Sequence, residues 1–303
     1  MQEIKSILLV VNPISGNINK SELIEEIKLA SRKFGAKLDI YKTDGESDII
    51  NLRALLKADE PDRVIVAGGD GTIKIVAEAL QHHEIPLGII PAGSANALAV
   101  NLHIPHLLND QLKVALGGCS REVDLLSING ELCLHMSDLG LNAELIKNYE
   151  SSPIRGKMGY LLQTIPTLMR SKYPFEFTIE TENKSYTRKG ILLAFANAKK
   201  YGTGANVNPR GKIDDGIFEV LIFKNFDIFE IIKTLRNEAE LDPDFMETIP
   251  AKEVSVTCKD PVPFQIDGEY IGEKKNIEAR ISDKKLKIMV PQKPELAPEK
   301  NAD

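Results

Sequence analysis

The N-terminal third of the chain alternates short β-branched runs with amphipathic stretches. Residues 7–11 form a continuous apolar run, and apolar residues then recur at helical spacing through residues 22–34. The same alternation continues with strand-like runs at 38–41, 63–67 and 87–90 and helix-like stretches at 49–56 and 73–80. Because right-handed crossovers join the parallel strands of such units, the pattern predicts an open parallel α/β sheet covered by helices.

The pattern changes after about residue 123. Polar turns, rather than helices, separate most of the later strand-like runs, at 175–180, 190–196, 217–223, 254–257 and 286–290. Helices are predicted only at 157–169 and 228–241, so this part is typical of antiparallel sheet. We therefore predict an α/β domain at 1–123, an antiparallel domain at 124–290 and a disordered, proline-rich and charged tail at 291–303.

Composition excludes several classes of protein. The 303 residues are 43% hydrophobic and 27% charged, which are ordinary globular values for a chain with two cores. No stretch approaches the ~18 consecutive apolar residues of a membrane-spanning helix. The formal charge of −6 argues against a nucleic-acid partner. Three widely spaced cysteines predict reduced thiols, and the absence of signal-peptide features predicts a cytoplasmic protein.

The strongest local motif is GGDGT at residues 68–72, directly after a predicted strand and before a predicted helix. Glycines let the backbone approach a ligand closely, and the amides of a helix N-terminus favour an anion such as phosphate. Asp70 adds a carboxylate at the carboxyl end of a parallel strand, where open α/β sheets bind ligands. A tight turn without a ligand is the alternative.

Two further loops follow predicted strands. NPISG at 12–16 follows the first strand and PAGSAN at 91–96 follows the fourth, so both should meet GGDGT at one edge of the sheet. Either loop alone is explained by an ordinary turn, whereas three phosphate-compatible loops together favour a nucleotide site. The P-loop and GxGxxG fingerprints are both missing from the sequence.

These motifs resemble those of the diacylglycerol kinase and sphingosine kinase family of lipid kinases, and more distantly of NAD kinases through GGDGT. The segments SDLGLNAELI, GKMGYLLQTI, YGTGANVNPRGKIDDGIFEV and FQIDGEYIG also resemble the bacterial soluble members. The resemblance spans residues 5 to 290 and implies an α/β domain, a β-sandwich domain that binds the lipid acceptor, and an active site in the cleft between them. It also implies ATP with Mg²⁺, and nucleotide contacts from Asn12, Pro13, Ser15, Gly16, Thr43, Gly69, Gly71, Thr72, Ser94 and Asn96.

A second acidic motif, Asp267-Gly268-Glu269, follows a predicted strand far along the chain. Composition alone favours a hairpin turn with solvated acids. The family resemblance instead implies that this motif faces GGDGT, with Glu269 as the proton acceptor, Asp70 as its competitor for that role, and Asp267 as a metal or network partner. The resemblance also implies a structural Mg²⁺ at Asp215, where a capped turn is the alternative.

The sequence departs from the family pattern at two places. Family members commonly continue GGDGT with one residue and then Asn-Glu, whereas Ile75 stands here in place of the acid, so either Glu78 substitutes for it or the site is weakened. Ala97 replaces the aspartate that diacylglycerol kinases usually carry in the third loop, which resembles the sphingosine-kinase version. The histidines show no zinc-like spacing, and we expect surface or packing roles for them.

The leading hypothesis is an ATP-dependent kinase that phosphorylates a hydroxyl of a lipid at the membrane surface, either diacylglycerol-like or sphingoid. An NAD-kinase-like enzyme with a soluble acceptor and a non-catalytic nucleotide or lipid sensor are the alternatives. No strongly amphipathic basic helix is evident, so membrane contact is expected from a rim of basic pairs at 155/157, 188/189, 199/200 and 274/275. A homodimer and a peripheral position at the membrane stay open.

Overall fold

A computed structural model describes residues 4–16, 19–150, 173–200, 205–236 and 241–292. The helix predicted at 157–169, most of the tail predicted at 291–303, and part of the helix predicted at 228–241 lie outside the described residues.

The N-terminal part contains the parallel sheet that the alternation predicts. The strand order is β4-β3-β1-β2, and β1 pairs in parallel with both neighbours, so Ile7 lies opposite Leu38 on one side and Arg63 on the other. Every residue of β3 is buried, because helices cover both faces of this sheet. The elements are β1 (Ser6–Val11), α1 (Lys20–Lys33), β2 (Lys37–Lys42), α2 (Asp48–Ala58), β3 (Arg63–Gly68), α3 (Asp70–Leu80) and β4 (Leu87–Pro91).

Two helices and then mostly antiparallel strands follow. The strands β10 and β11 are buried along their whole length, and their pairs are antiparallel. The elements are α4 (Ala97–Asn101), α5 (Leu108–Gly117), β5 (Cys119–Ile128), β6 (Glu131–Cys133), β7 (Met136–Gly140), α6 (Leu141–Glu150), β8 (Phe175–Thr181), β9 (Ser185–Gly190), β10 (Leu192–Ala196), β11 (Phe218–Phe223), α7 (Ile228–Leu235), β12 (Met246–Ala251), β13 (Glu253–Ile266) and β14 (Glu269–Val290). The predicted combination of parallel α/β and antiparallel β structure is confirmed.

The long strand β14 joins the two parts. It pairs antiparallel with β13 and β5, and in parallel with β4 where Ile288 lies opposite Leu87. The sheet is therefore continuous in the order β12-β11-β10-β7-β13-β14-β4-β3-β1-β2, and the domain boundary predicted at residue 123 falls inside β5. The strands predicted at 254–257 and 286–290 are only short parts of β13 and β14.

Separate hydrophobic cores support the parallel and the antiparallel parts. Leu9 and Ile65 are fully buried in the parallel sheet, and the antiparallel part is packed around four fully buried aromatic side chains, those of Phe177, Phe195, Phe218 and Phe264. Deleting one such ring would cost about 3–5 kcal/mol of stability. The carboxyl ends of β1, β3 and β4, and the hairpin between β13 and β14, are thus held on rigid elements.

Candidate active site

The three predicted phosphate loops meet at the carboxyl ends of β1, β3 and β4. A Cβ added to Gly16 would lie 2.3 Å from the carbonyl oxygen of Ala92, and one added to Gly93 would lie 2.5 Å from the Cα of Gly69. No side chain fits at either contact, so glycine is required for the backbones to approach this closely. The convergence predicted from the strand order is therefore present.

Asp70 connects the second loop, GGDGT, to the third loop through hydrogen bonds. Its carboxylate accepts hydrogen bonds from the backbone amides of Ala97, at 3.0 Å, and Leu98, at 3.2 Å. These amides belong to the first turn of α4, where a carboxylate is favoured by the unpaired N–H groups of the helix. Asn96 adopts a left-handed φ of 54° and binds both the amide and the carbonyl of Gly93 through its side chain. Asp70 and Asn96 therefore fix the shape of the third loop.

A cavity of about 420 Å³ lies beside the joined loops. The amide of Asn12 donates a hydrogen bond of 3.3 Å to the hydroxyl of Thr72, which links the first loop to the second across this cavity. Backbone glycines, hydroxyls, an amide and a lysine together suit a polyphosphate, and the two glutamates suit a cation that accompanies it. The lining residues are Asn12, Ser15, Ile49, Gly69, Gly71, Thr72, Lys74, Ile75, Glu78 and Glu269.

The remaining predicted nucleotide contacts are not in the cavity wall. Gly16 packs against Ala92, and Thr43 is buried with its amide bonded to the carbonyl of Val11. Pro13 and Ser94 are exposed on their loops, and Asn96 binds Gly93 as described above.

Glu269 lines the cavity next to GGDGT. Its Oε1 atom lies 3.6 Å from the position that a Cβ on Gly71 would take, and its Oε2 atom lies 4.0 Å from the Nζ of Lys74. The Glu269 side chain is 60% exposed and the Lys74 side chain only 14%. The structure thus brings the two predicted acidic motifs together, and the largely buried Lys74 side chain lies beside Glu269.

Asp267, two residues before Glu269, is held by several hydrogen-bond donors. Its carboxylate accepts from the backbone amides of Leu134, at 2.8 Å, and His135, at 3.0 Å, and lies 2.8 Å from Nδ1 of His135. Burial opposes ionisation of Asp267. The bond to His135, the positive charges of His135 and Lys74 and the Leu134 amide outweigh burial and lower the pKa of Asp267 to about 2.

His135 completes a buried ion pair with Asp267. Burial lowers the pKa of His135, but its hydrogen bond to Asp267 and the negative charges of Asp267 and Asp70 outweigh that effect, so the pKa of His135 is raised. The backbone of Asp267 has a φ of 51°, and Gln265 accepts the amide of Gly268 at 2.7 Å. The turn that carries Glu269 is therefore anchored from both sides.

One face of α3 supplies a side chain that the sequence motifs do not include, that of Lys74. Gly71, Lys74, Ile75 and Glu78 follow the i, i+3, i+4, i+7 spacing of a single helix face, and all four line the cavity. That spacing is the signal in the sequence that identifies Lys74. Glu78, considered as a substitute for the acid missing at Ile75, does reach the cavity. His135, by contrast, carries no local signal because its partner Asp267 is distant in sequence.

Asp215 lies in the exposed turn before β11. Its carboxylate accepts the amide of Ile217 at 3.4 Å, and the neighbouring Gly216 donates to the buried Asp124 at 2.6 Å. Across the described ranges, no three His, Cys, Asp or Glu side chains form a cluster able to hold a metal ion. Carboxylates and carbonyls suit Mg²⁺, and the Mg²⁺ at Asp215 stays a prediction.

Comparison with known families covers nearly the whole chain. Residues 6–128 match the model of the diacylglycerol kinase catalytic domain. Residues 138–290 match the model of the YegS C-terminal NAD kinase beta sandwich-like domain. The chain belongs to the YegS and diacylglycerol kinase family of lipid kinases.

Curated members of this lipid kinase family align over most of their length. "Probable lipid kinase YegS" from Escherichia fergusonii is 28% identical over 92% of this chain and 94% of its own. "Diacylglycerol kinase" from Bacillus subtilis is 27% identical over 87% of this chain and 89% of its own.

Solved structures share the fold of this family member. A diacylglycerol kinase from Bacillus anthracis superposes with a TM-score of 0.72 at 17% identity, covering 96% of this chain and 98% of that one. An NAD kinase from Archaeoglobus fulgidus in complex with ATP gives a TM-score of 0.54 at 12% identity, covering 94% of each chain. In the part of the chain with described coordinates, no helix is both long and apolar enough to cross a membrane.

Proposed function

We propose that this kinase transfers the γ-phosphoryl group of ATP to a hydroxyl of a lipid, and that transfer takes place in the cavity between GGDGT and Glu269. The observation that carries the proposal is the position of the Glu269 carboxylate, which lies beside Gly71 in a cavity lined by the first and second phosphate loops and by one face of α3. Phosphoryl transfer requires mainly positioning and charge neutralisation, and this lining supplies both.

The nucleotide phosphates would lie against the backbone of Gly69 and Gly71 and the side chains of Asn12, Ser15 and Thr72. Lys74 adds the one ammonium group in the described cavity wall, where partial burial strengthens its attraction for phosphate. Mg²⁺ would be held by Glu78 together with phosphate oxygens, since hard cations prefer oxygen ligands. When bound, it would neutralise charge on the phosphates.

Glu269 is the better candidate for the proton acceptor than Asp70. Both oxygens of Asp70 are occupied by the amides of Ala97 and Leu98, whereas Glu269 extends into the cavity. The lipid hydroxyl oxygen would bond to the γ-phosphorus as the bond from that phosphorus to the bridging oxygen breaks, and the hydroxyl proton would pass to Glu269. In a loose transition state this proton leaves late, so a weak base suffices.

The acceptor is proposed to be diacylglycerol-like or a sphingoid base. The Bacillus subtilis relative is named a diacylglycerol kinase, while Ala97 in the third loop follows the sphingosine-kinase pattern. In this structure Ala97 binds Asp70 through its backbone amide, so the loop keeps its shape without the aspartate of the family pattern.

The test is transfer of labelled γ-phosphate from ATP with Mg²⁺ to diacylglycerol, sphingosine and NAD, each presented separately in detergent micelles or buffer. We expect a labelled lipid and no labelled NAD. Labelling of NAD alone would establish the NAD-kinase-like alternative. Nucleotide binding without transfer to any acceptor would establish the sensor alternative.

A further inference from the structure

An apolar surface lies on the helix α7 and the residue just before its N-cap. Phe226, Phe229, Ile232 and Leu235, here called the α7 stripe, recur every three residues and are between 39% and 74% exposed. The other exposed large hydrophobic residues of the described chain lie five or more positions apart. Phe226 directly precedes the N-cap Asp227. On the helix itself each step of three residues turns by about 60°, so Phe229, Ile232 and Leu235 cover roughly a third of the circumference, on the side away from the buried Glu230 and Thr234.

The opposite side of α7 is fixed to the protein. Asp227 caps its N-terminus, buried Glu230 accepts the amide of Asp242 at 3.1 Å, and Ile231 packs against the core of β10 and β11. The α7 stripe therefore points outward because the helix is anchored, not because the helix is loose. A continuous apolar patch on an anchored element is typical of an interaction site.

We propose that the α7 stripe is the surface by which this kinase docks on a lipid bilayer. At eight residues, α7 is about 12 Å long and suits a position in the plane of the interface, with its apolar side chains among the upper acyl chains. Arg236, the exposed residue that caps the C-terminus of α7, can lay its stem along the apolar surface and reach anionic headgroups with its charge, whereas Lys233 pairs with Glu230 and Lys224 donates to the carbonyl of Pro243.

The contacts of α7 also connect it to the candidate site. The backbone amide of Asn206 donates a hydrogen bond of 2.8 Å to the carbonyl of Thr234. Asn206 also forms an isolated antiparallel β-bridge with Lys200. The backbone of Lys200 in turn exchanges two hydrogen bonds with the side chain of Asn101, the last residue of α4. The first turn of α4 is bound by Asp70, so a bilayer held at α7 would lie at a fixed position relative to the cavity.

This inference deepens the proposed function, because a lipid acceptor must be reached at a bilayer. Part of the basic rim expected from the sequence is already engaged within the protein. Arg188 makes a bidentate ion pair with Glu247, and Lys189 lies 3.8 Å from Glu176. The pair at 155/157 lies outside the described residues.

Vesicle sedimentation of a matched pair of double variants tests the docking surface. Phe229→Ser with Leu235→Ser removes two side chains of the α7 stripe. Leu29→Ser on α1 with Phe34→Ser at its C-cap removes the same two residue types, which are also exposed there, at 49% and 45%. On vesicles of phosphatidylcholine and phosphatidylglycerol, we expect the α7 pair to lower the partition coefficient by about tenfold or more, and the α1 pair to leave it unchanged.

Equal binding by wild type and the α7 pair would overturn the proposal, as would equal loss in both pairs. A dimer in sedimentation velocity that only the α7 pair dissociates, without a change in vesicle binding, would assign the α7 stripe to a second copy and also overturn it. Circular dichroism melting checks that both pairs of variants fold.

Phosphate transfer to a short-chain, monomerically dispersed lipid acceptor separates the docking proposal from the proposed function. If the wild type transfers phosphate to no acceptor yet shows the expected vesicle results, docking stands and the proposed function fails.

Discussion

Three acidic side chains of the candidate site carry the same charge in different surroundings. Asp70 is bonded to two amides at a helix start, Asp267 is paired with His135, and Glu269 extends into the cavity. The sequence alone could list these acids but not rank them, because a carboxylate's role depends on neighbours that are distant in sequence. His135 stands 132 residues from Asp267.

The substitution Asp70→Asn tests whether Asp70 positions the third loop. Asn keeps one acceptor oxygen but presents an NH₂ group to the second amide of α4, so the third loop should loosen. We expect about 1–2 kcal/mol lower stability and weaker ATP binding. Urea unfolding and calorimetric titration measure the two effects, and a variant that loses turnover while keeping both properties would make Asp70 the base instead.

The ion pair of His135 and Asp267 predicts a pH dependence of stability. The pKa of folded His135 is raised above 6.5, so its contribution is complete below pH 6.5 and is lost as the pH rises through the folded pKa. Asp267, with a lowered pKa of about 2, stays ionised throughout this window. His135→Gln should lose about 3 kcal/mol at pH 6 and show less decline towards alkaline pH than wild type.

Urea unfolding of both proteins at a series of pH values measures this difference. The remaining histidines are common to both chains and cancel in the comparison. Parallel pH profiles for wild type and His135→Gln would show that the pair does not titrate as the geometry indicates.

Lys74 is predicted to bind the nucleotide phosphates. Lys74→Met keeps the length of the side chain and removes the charge, so we expect the KM for ATP to rise about tenfold while the fold is retained. Lys113→Met, in an exposed ion pair with Asp110 on α5, is the control and should leave the KM unchanged. Unchanged kinetics in Lys74→Met would remove Lys74 from the site.

At the scale of elements, the face of α3 shows what sequence patterns can and cannot predict. Gly71, Lys74, Ile75 and Glu78 share one helix face, so their proximity follows from the 3.6-residue repeat. No local pattern predicts that this face meets Glu269. The contact depends on the hairpin of β13 and β14 reaching the end of β3. Only the family resemblance placed the two motifs opposite each other.

The close contact between the first and third loops gives a prediction for glycine. Gly16 and Gly45 both have positive φ angles, of 59° and 87°, but a Cβ has open space only at Gly45. Gly16→Ala should therefore cost about 2–3 kcal/mol and weaken ATP binding, whereas Gly45→Ala should cost about 1 kcal/mol and leave ATP binding intact. Equal effects in thermal melts and ATP titrations would mean that the loop contact is not required.

At the scale of the whole molecule, β14 is the element that the sequence pattern did not predict in full. The apolar runs of β1, β3 and β4 are buried on both faces and were recognisable, whereas β14 alternates exposed charges with buried residues such as Ile277 and Ala279. Its polar face made residues 269–285 look like turns. Because β14 pairs with β13, β5 and β4, it connects the parallel sheet to the antiparallel strands, and Glu269 is its first residue.

The most direct test of the proposed catalytic cavity compares γ-phosphate transfer by wild type, Glu269→Gln and the control Glu273→Gln, which changes an exposed glutamate farther along β14. On the acceptor that the wild type labels best, we expect Glu269→Gln to lose about a hundredfold or more in kcat, with ATP affinity nearly unchanged. Glu273→Gln should keep wild-type activity. Wild-type turnover in a folded Glu269→Gln protein would contradict the account.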